Sequence, residues 1–121
     1  MPQPIPWVFY VSEMGRPVVQ REIDKMQLDL EEYFELEEIM ARISSQTEKW
    51  KDTDYLGNEI WEARIRVPRR QIRVLFTKEP SPRVLLALLA AVKKVQKTPP
   101  QWISLARRRQ KDWLLRLEDD E

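Results

Sequence analysis

Arg64, Arg66 and Arg73, with Lys93 and Lys94, are the residues whose type and spacing suit chemistry on a phosphate. Arg64 and Arg66 lie two apart in EIWEARIRV (59–67), where apolar and polar residues alternate with period two. That period puts both guanidinium groups on one face of a strand, about 7 Å apart. Arg73 takes the same face of the next alternating segment, QIRVLFT (71–77), and Lys93 and Lys94 close an apolar run that begins at Val84. Arginine grips two phosphate oxygens at once, and preorganised cations stabilise the dianion formed when a ribose 2′-OH attacks its neighbouring phosphate. Such a reaction needs no metal. Glu62 shares the arginine face and is one candidate general base. Lys93 or Lys94 is the slightly preferred one, since a lysine crowded by other cations gives up its proton more readily.

Three strands must carry these side chains. Glu59–Val67 turns its Trp61, Ala63, Ile65 and Val67 to a core and its Ile60, Glu62, Arg64 and Arg66 to the opposite face. Pro68-Arg69-Arg70 is a short hairpin connection to 71–77, and 78–82 (KEPSP) is a second tight connection. Residues 83–92 then form a last strand, so apolar that it belongs in the interior of the sheet. Beyond it, Thr98-Pro99-Pro100-Gln101 has the pattern of a helix start, with Thr98 as N-cap, Pro99 at N1 and Gln101 at N3. The helix that follows, to about Leu115, carries an apolar stripe of Trp102, Leu105, Ala106, Trp113 and Leu117 among its cations. Residues 118–121 are expected to fray as an acidic tail.

The first half is simpler. Pro2, Pro4 and Pro6 hold the start extended, and WVFYV (7–11) is a first strand. Two helical patterns follow, from Val18 and from Glu31 to Ser44, separated by Asp29 as a plausible N-cap and expected to fold as a hairpin. Glu31, Glu32, Glu35, Glu37 and Glu38 are expected on the solvated face of the second helix. Residues 44–53 suit a loop with Trp50 folding back onto the core, and Tyr55-Leu56-Gly57-Asn58 suits a turn.

Composition sets limits on function. The 121 residues fit one domain, 1–121, and apolar residues at 42% are too many for a disordered chain. No apolar run approaches a membrane span, and the N-terminus lacks the features of a secretory signal. Cysteine and histidine are both absent, which removes thiolate chemistry and ordinary zinc sites and is compatible with the cytoplasm. No cofactor is implied. The net charge of +1 hides a division: residues 1–62 carry −8, residues 63–117 carry +13 and residues 118–121 carry −4. A basic half of that size suits a polyanion, and Lys97, Arg107, Arg108 and Lys111 are candidate phosphate-backbone contacts, to RNA on the resemblance given below, outside the reacting centre. The plainer alternative is that acidic and basic halves face one another.

Ile60-Trp61-Glu62-Ala63-Arg64-Ile65, Arg73-Val74-Leu75-Phe76 and Lys93-Lys94-Val95-Gln96-Lys97-Thr98-Pro99 also occur in a telling order. With the strand and two helices before them and a basic helix after, they resemble the RelE/HigB superfamily of bacterial type II toxin–antitoxin toxins. The KKxQKTP run is typical of its phage-derived HigB-type branch. That resemblance covers residues 56–110 best. It implies an α+β fold in which a small antiparallel meander is flanked by an N-terminal helical hairpin and a C-terminal helix. It further implies an endoribonuclease that cuts mRNA on the ribosome and inhibits translation, held in check by a helix-turn-helix antitoxin, with operator DNA met only through that antitoxin. The family's paired basic residues fall on Arg64 and Arg66, its central arginine on Arg73, and the basic residue closing its last strand on Lys93 or Lys94. The chain departs from the pattern in two ways: it has no histidine, and its only tyrosines are Tyr10, Tyr33 and Tyr55, so the C-terminal base-stacking tyrosine is missing. The same fold acting as an inactive binding module or corepressor is the alternative.

Overall fold

The computed structural model describes residues 3–78 and 83–119. Its elements run β1 (Trp7–Phe9), α1 (Val18–Lys25), α2 (Leu30–Ser45), β2 (Thr53–Gly57), β3 (Ile60–Arg66), β4 (Gln71–Lys78), β5 (Leu85–Lys93) and α3 (Pro100–Asp119). The class is α+β, and the strands form one sheet in the order β1-β5-β4-β3-β2. β3, β4 and β5 are the expected antiparallel meander. The sheet is nevertheless mixed, because β1 pairs parallel with β5.

Burial follows from two covered faces. Ile72 to Thr77 of β4 and Leu85 to Ala90 of β5 are buried without interruption, so neither strand shows a solvated side there. Phe76 packs edge-on against Trp7, whose indole N–H donates to the Met40 carbonyl of α2 (2.9 Å). The next residue, Thr77, points the opposite way and its hydroxyl accepts from Gln110 of α3 (3.2 Å). α2 therefore lies over one face and α3 over the other. Ala106 of α3 is fully buried at that contact, whereas Leu117, assigned to the same stripe, is exposed.

Several expectations are corrected. α1 and α2 do not form a packed hairpin: α1 packs on β5 and α2 on β3, because each has its own strand to cover. Residues 53–57 are a strand and not a turn; β2 pairs antiparallel with β3 through Asn58 and Glu59, both at positive φ (53° and 65°), the conformation a two-residue hairpin turn requires. Polar and short, β2 is an edge strand, which is why alternation did not reveal it. Trp50 does not fold back but is 88% exposed. Asp29 does cap α2: its carboxylate accepts from the Glu32 N–H (2.8 Å) while Glu32 accepts from the Asp29 N–H (3.0 Å), a capping box of about 1 kcal/mol. Glu32 itself is no solvated residue. It is buried, and Arg70 of the β3–β4 connection reaches it with Nε (2.6 Å) and Nη2 (3.0 Å) while also donating to the Met26 carbonyl (2.7 Å). One guanidinium thus ties the end of α1 and the start of α2 to the sheet. Residues 79–82, most of the second tight connection, lie outside the described residues, as do Pro2 and the last two residues of the acidic tail.

Candidate active site

β3 and β4 place Arg64 and Arg73 directly opposite one another, and the next row on that face runs Arg66, Gln71, Lys93 across β3, β4 and β5. Period two and register together bring the predicted cations to one face. Beneath them lies Glu62, whose side chain is 1% exposed. Its Oε1 stands 3.6 Å from Arg64 Nε, 3.6 Å from Arg73 Nε and 3.8 Å from Lys93 Nζ. Its Oε2 accepts from the Thr98 hydroxyl.

That last contact corrects the expected helix cap. Thr98 does not cap α3, which starts one residue later than expected, at Pro100. Its hydroxyl is engaged by Glu62, because the segment between β5 and α3 folds back over the carboxylate. The contact fixes where α3 leaves the sheet.

The cations differ in how firmly they are held. Arg73 is 7% exposed at its side chain, and Nη2 donates to the Gln71 amide oxygen (3.2 Å) and Nη1 to the Ile72 carbonyl (3.0 Å). Burial lowers its pKa, Glu62 opposes that shift, and Arg64 and Arg66 add to it. Arginine has so high a starting value that the group stays charged. Arg73 Nε and Glu62 Oε1 are both buried without a hydrogen bond, facing each other across 3.6 Å. Arg64 is pulled aside to Asp54 of β2 (3.0 Å). Lys93 is 8% exposed, whereas Lys94 is open to solvent.

Above this cluster opens a cleft of about 630 Å³ lined by Arg66, Gln71, Arg73, Lys93, Lys94, Val95 and Gln96. Four predicted residues, Arg66, Arg73, Lys93 and Lys94, therefore meet around one cavity. Arg64 stands behind it and Glu62 beneath it. Lys97 is exposed in the connection leading to α3. Arg107, Arg108 and Lys111 are elsewhere: they line a separate, shallower hollow of about 780 Å³ on the outer side of α3, beside Asn58 and Glu59. Arg109, their neighbour, is structural, reaching Glu22 Oε2 (3.0 Å) and the Leu88 carbonyl (2.8 Å).

Sequence reasoning missed Gln71, Thr98 and Asp54. Gln71 sits two residues before Arg73 on the same strand face, so the period that found the arginines also points to it. Asp54 fell between the residues read as a loop (44–53) and those read as a turn (55–58), and Thr98 was read as a helix cap.

The arrangement concentrates positive charge at a concave, partly desolvated surface while one buried carboxylate keeps the cations from splaying apart. It suits a phosphodiester. Among the described residues no three His, Cys, Asp or Glu side chains gather as metal ligands, and no helix is long and apolar enough to cross a membrane. No curated protein matches the chain. A family model described as "Phage derived protein Gp49-like (DUF891)" matches residues 21–111, a span that runs from α1 into α3 and holds every residue of the cleft. The chain belongs to this Gp49-like family of phage-derived proteins.

Proposed function

We propose that the chain is the toxin of a bacterial type II toxin–antitoxin pair, of the HigB-type branch, and that it cuts mRNA on the ribosome without a metal. The observation that carries this reading is the gathering of Arg64, Arg73 and Lys93 within 4 Å of Glu62, with Arg66 and Lys94 completing the cleft above. The Gp49-like membership supports it, as a family of RelE/HigB-like toxins. The scissile phosphate sits over Arg73, with Arg66 and Lys93 on its flanks. The 2′-oxygen attacks phosphorus, its proton passes to a base, and the 5′-oxygen departs with a proton, leaving a 2′,3′-cyclic phosphate and a 5′-hydroxyl. Arg73 and its neighbours stabilise the dianion between those steps. Glu62 is poorly placed as the base, since one oxygen faces three cations and the other accepts from Thr98. That leaves Lys94, open to the cleft, or Lys93. Lys97, Arg107, Arg108 and Lys111 hold RNA or ribosomal backbone away from the reacting centre. The partner that silences the toxin is a helix-turn-helix antitoxin, and the site of action is the cytoplasm.

A second reading is favoured by one observation. The cleft lining contains no aromatic ring to stack on a base, and Tyr10 is buried with its hydroxyl on Asp112. On that reading the chain is an inactive module or corepressor that acts with its antitoxin on operator DNA. Induction without a partner separates the two: a nuclease arrests growth and Arg73→Ala relieves the arrest, whereas a binding module is harmless from the start.

A further inference from the structure

β5 changes neighbours along its outer edge. Leu85–Ala87 pair with β1, and the ladder ends where the Tyr10 N–H donates to the Ala87 carbonyl (2.9 Å). Past that point α1 faces the edge, and Glu22 accepts from the Ala90 N–H (3.0 Å). Between α1 and the β3–β4 connection the end of the sheet opens into a second cleft, of about 930 Å³. Lys25, Arg69 and Arg70 form its walls, and it shares Gln71, Lys93 and Lys94 with the candidate active site. The two clefts therefore adjoin at these three residues.

Their charges are distributed unequally. The carboxylates beside the second cleft are engaged, Glu22 by Arg109 (3.0 Å) and Glu32 by Arg70 (2.6 Å). Three of its cations, Lys25, Arg69 and Lys94, are less committed. Arg69 is 73% exposed at its side chain and meets Asp29 only at 3.4 Å, while Lys25 and Lys94 are exposed and make no ion pair among the described residues. Arg66, Gln71 and Lys93 are successive cross-strand neighbours, each about 5 Å from the next. Lys25 of α1 lines the second cleft together with Gln71 and Lys93.

We infer that this second cleft is a phosphate subsite for nucleotides flanking the cut, the RNA backbone crossing Gln71 and Lys93 to reach Lys25, Arg69 and Lys94. The inference rests on the nuclease reading above and extends its footprint along the strand. RNA is favoured over an acidic protein segment because this cleft shares Gln71, Lys93 and Lys94 with the one assigned to the reacting phosphate. No local pattern points to it, since Lys25 and Arg69 lie far apart in the chain.

The test is binding of 2′-O-methyl RNAs of two and six nucleotides, which cannot be cut because the attacking hydroxyl is blocked. The wild-type protein is expected to bind the longer RNA about tenfold more tightly. Lys25→Ala with Arg69→Ala, both at exposed positions and checked by an unchanged melting temperature, is expected to abolish most of that gain. The slope of log K against log salt should fall by about 1.4 for two lost contacts to a single strand. The inference is overturned if the double variant binds the longer RNA as wild type does, or loses the same factor on both lengths. It is also overturned if the variant keeps RNA binding but loses an acidic peptide, which would make the cleft a protein contact. Growth arrest by the wild type with no gain from length rejects the subsite alone. No binding of either RNA and no arrest rejects the nuclease reading itself.

Discussion

Glu32 and Glu62 are both buried glutamates held by arginine, and the contrast between them separates architecture from chemistry. Glu32 has one cationic partner and complete hydrogen bonding: Arg70 takes both oxygens and the Asp29 N–H adds to one. Those contacts hold its carboxyl at about 2, with the Arg70 hydrogen bond the larger cause, and Glu32 in turn raises the Arg70 pKa. Glu62 instead faces three cations, none at hydrogen-bonding distance, and burial lowers the pKa of its neighbour Arg73. The first pair is neutral and closed. The second is a surplus of positive charge under a cleft, stable only because a carboxylate sits among the cations and more favourable still when a dianion sits above them.

That contrast can be broken from either side. The largest effect is expected for Arg73→Ala, which on the proposed function removes a preorganised donor from the reacting phosphate and should slow RNA cleavage by about 10²-fold or more. Glu62→Gln keeps the shape but leaves three cations unbalanced. It should cost about 1–3 kcal/mol in urea unfolding and lower cleavage as well. Equal activity in Glu62→Gln and wild type would show that the cluster needs no organising charge. At Glu32 the expected effect is on stability and its pH dependence. A carboxyl near 2 when folded and near 4.5 when unfolded contributes fully above pH 4.5 and loses that contribution as pH falls towards 2. Unfolding midpoints between pH 7 and pH 2.5 should therefore drop less steeply in Glu32→Gln, whose stability is lower at neutral pH. The smallest effect is expected on α3: Arg107→Ala with Arg108→Ala should weaken RNA binding a few-fold and reduce the salt slope by about 1.4.

The same contrast explains what was legible beforehand. Arg64, Arg66 and Arg73 were found because a strand repeats every two residues, and Lys93 because a long apolar run ends there. The meander and the α2 cap at Asp29 follow local rules and were found the same way. Glu32 was misplaced because its partner is 38 residues away and helical periodicity cannot register a guanidinium arriving from a hairpin. Thr98 was misassigned for a similar reason: its local pattern fits a cap, but α3 begins two residues later, at Pro100, and the hydroxyl donates to a buried carboxylate 36 residues earlier. β2 went unseen since an edge strand of mixed polarity has no alternation to show. The separation of Arg107, Arg108 and Lys111 from the cleft depends on the direction in which α3 leaves the sheet, and no local pattern sets that.

The most direct measurement is the mapping of new 5′-hydroxyl ends on cellular mRNA after induction of the chain without a partner, wild type beside a folded Arg73→Ala variant. The Glu62-centred cluster as a cleavage site predicts such ends, with growth arrest, for the wild type and neither for Arg73→Ala. Harmless wild-type expression without new ends, or undiminished cutting by Arg73→Ala, would contradict it.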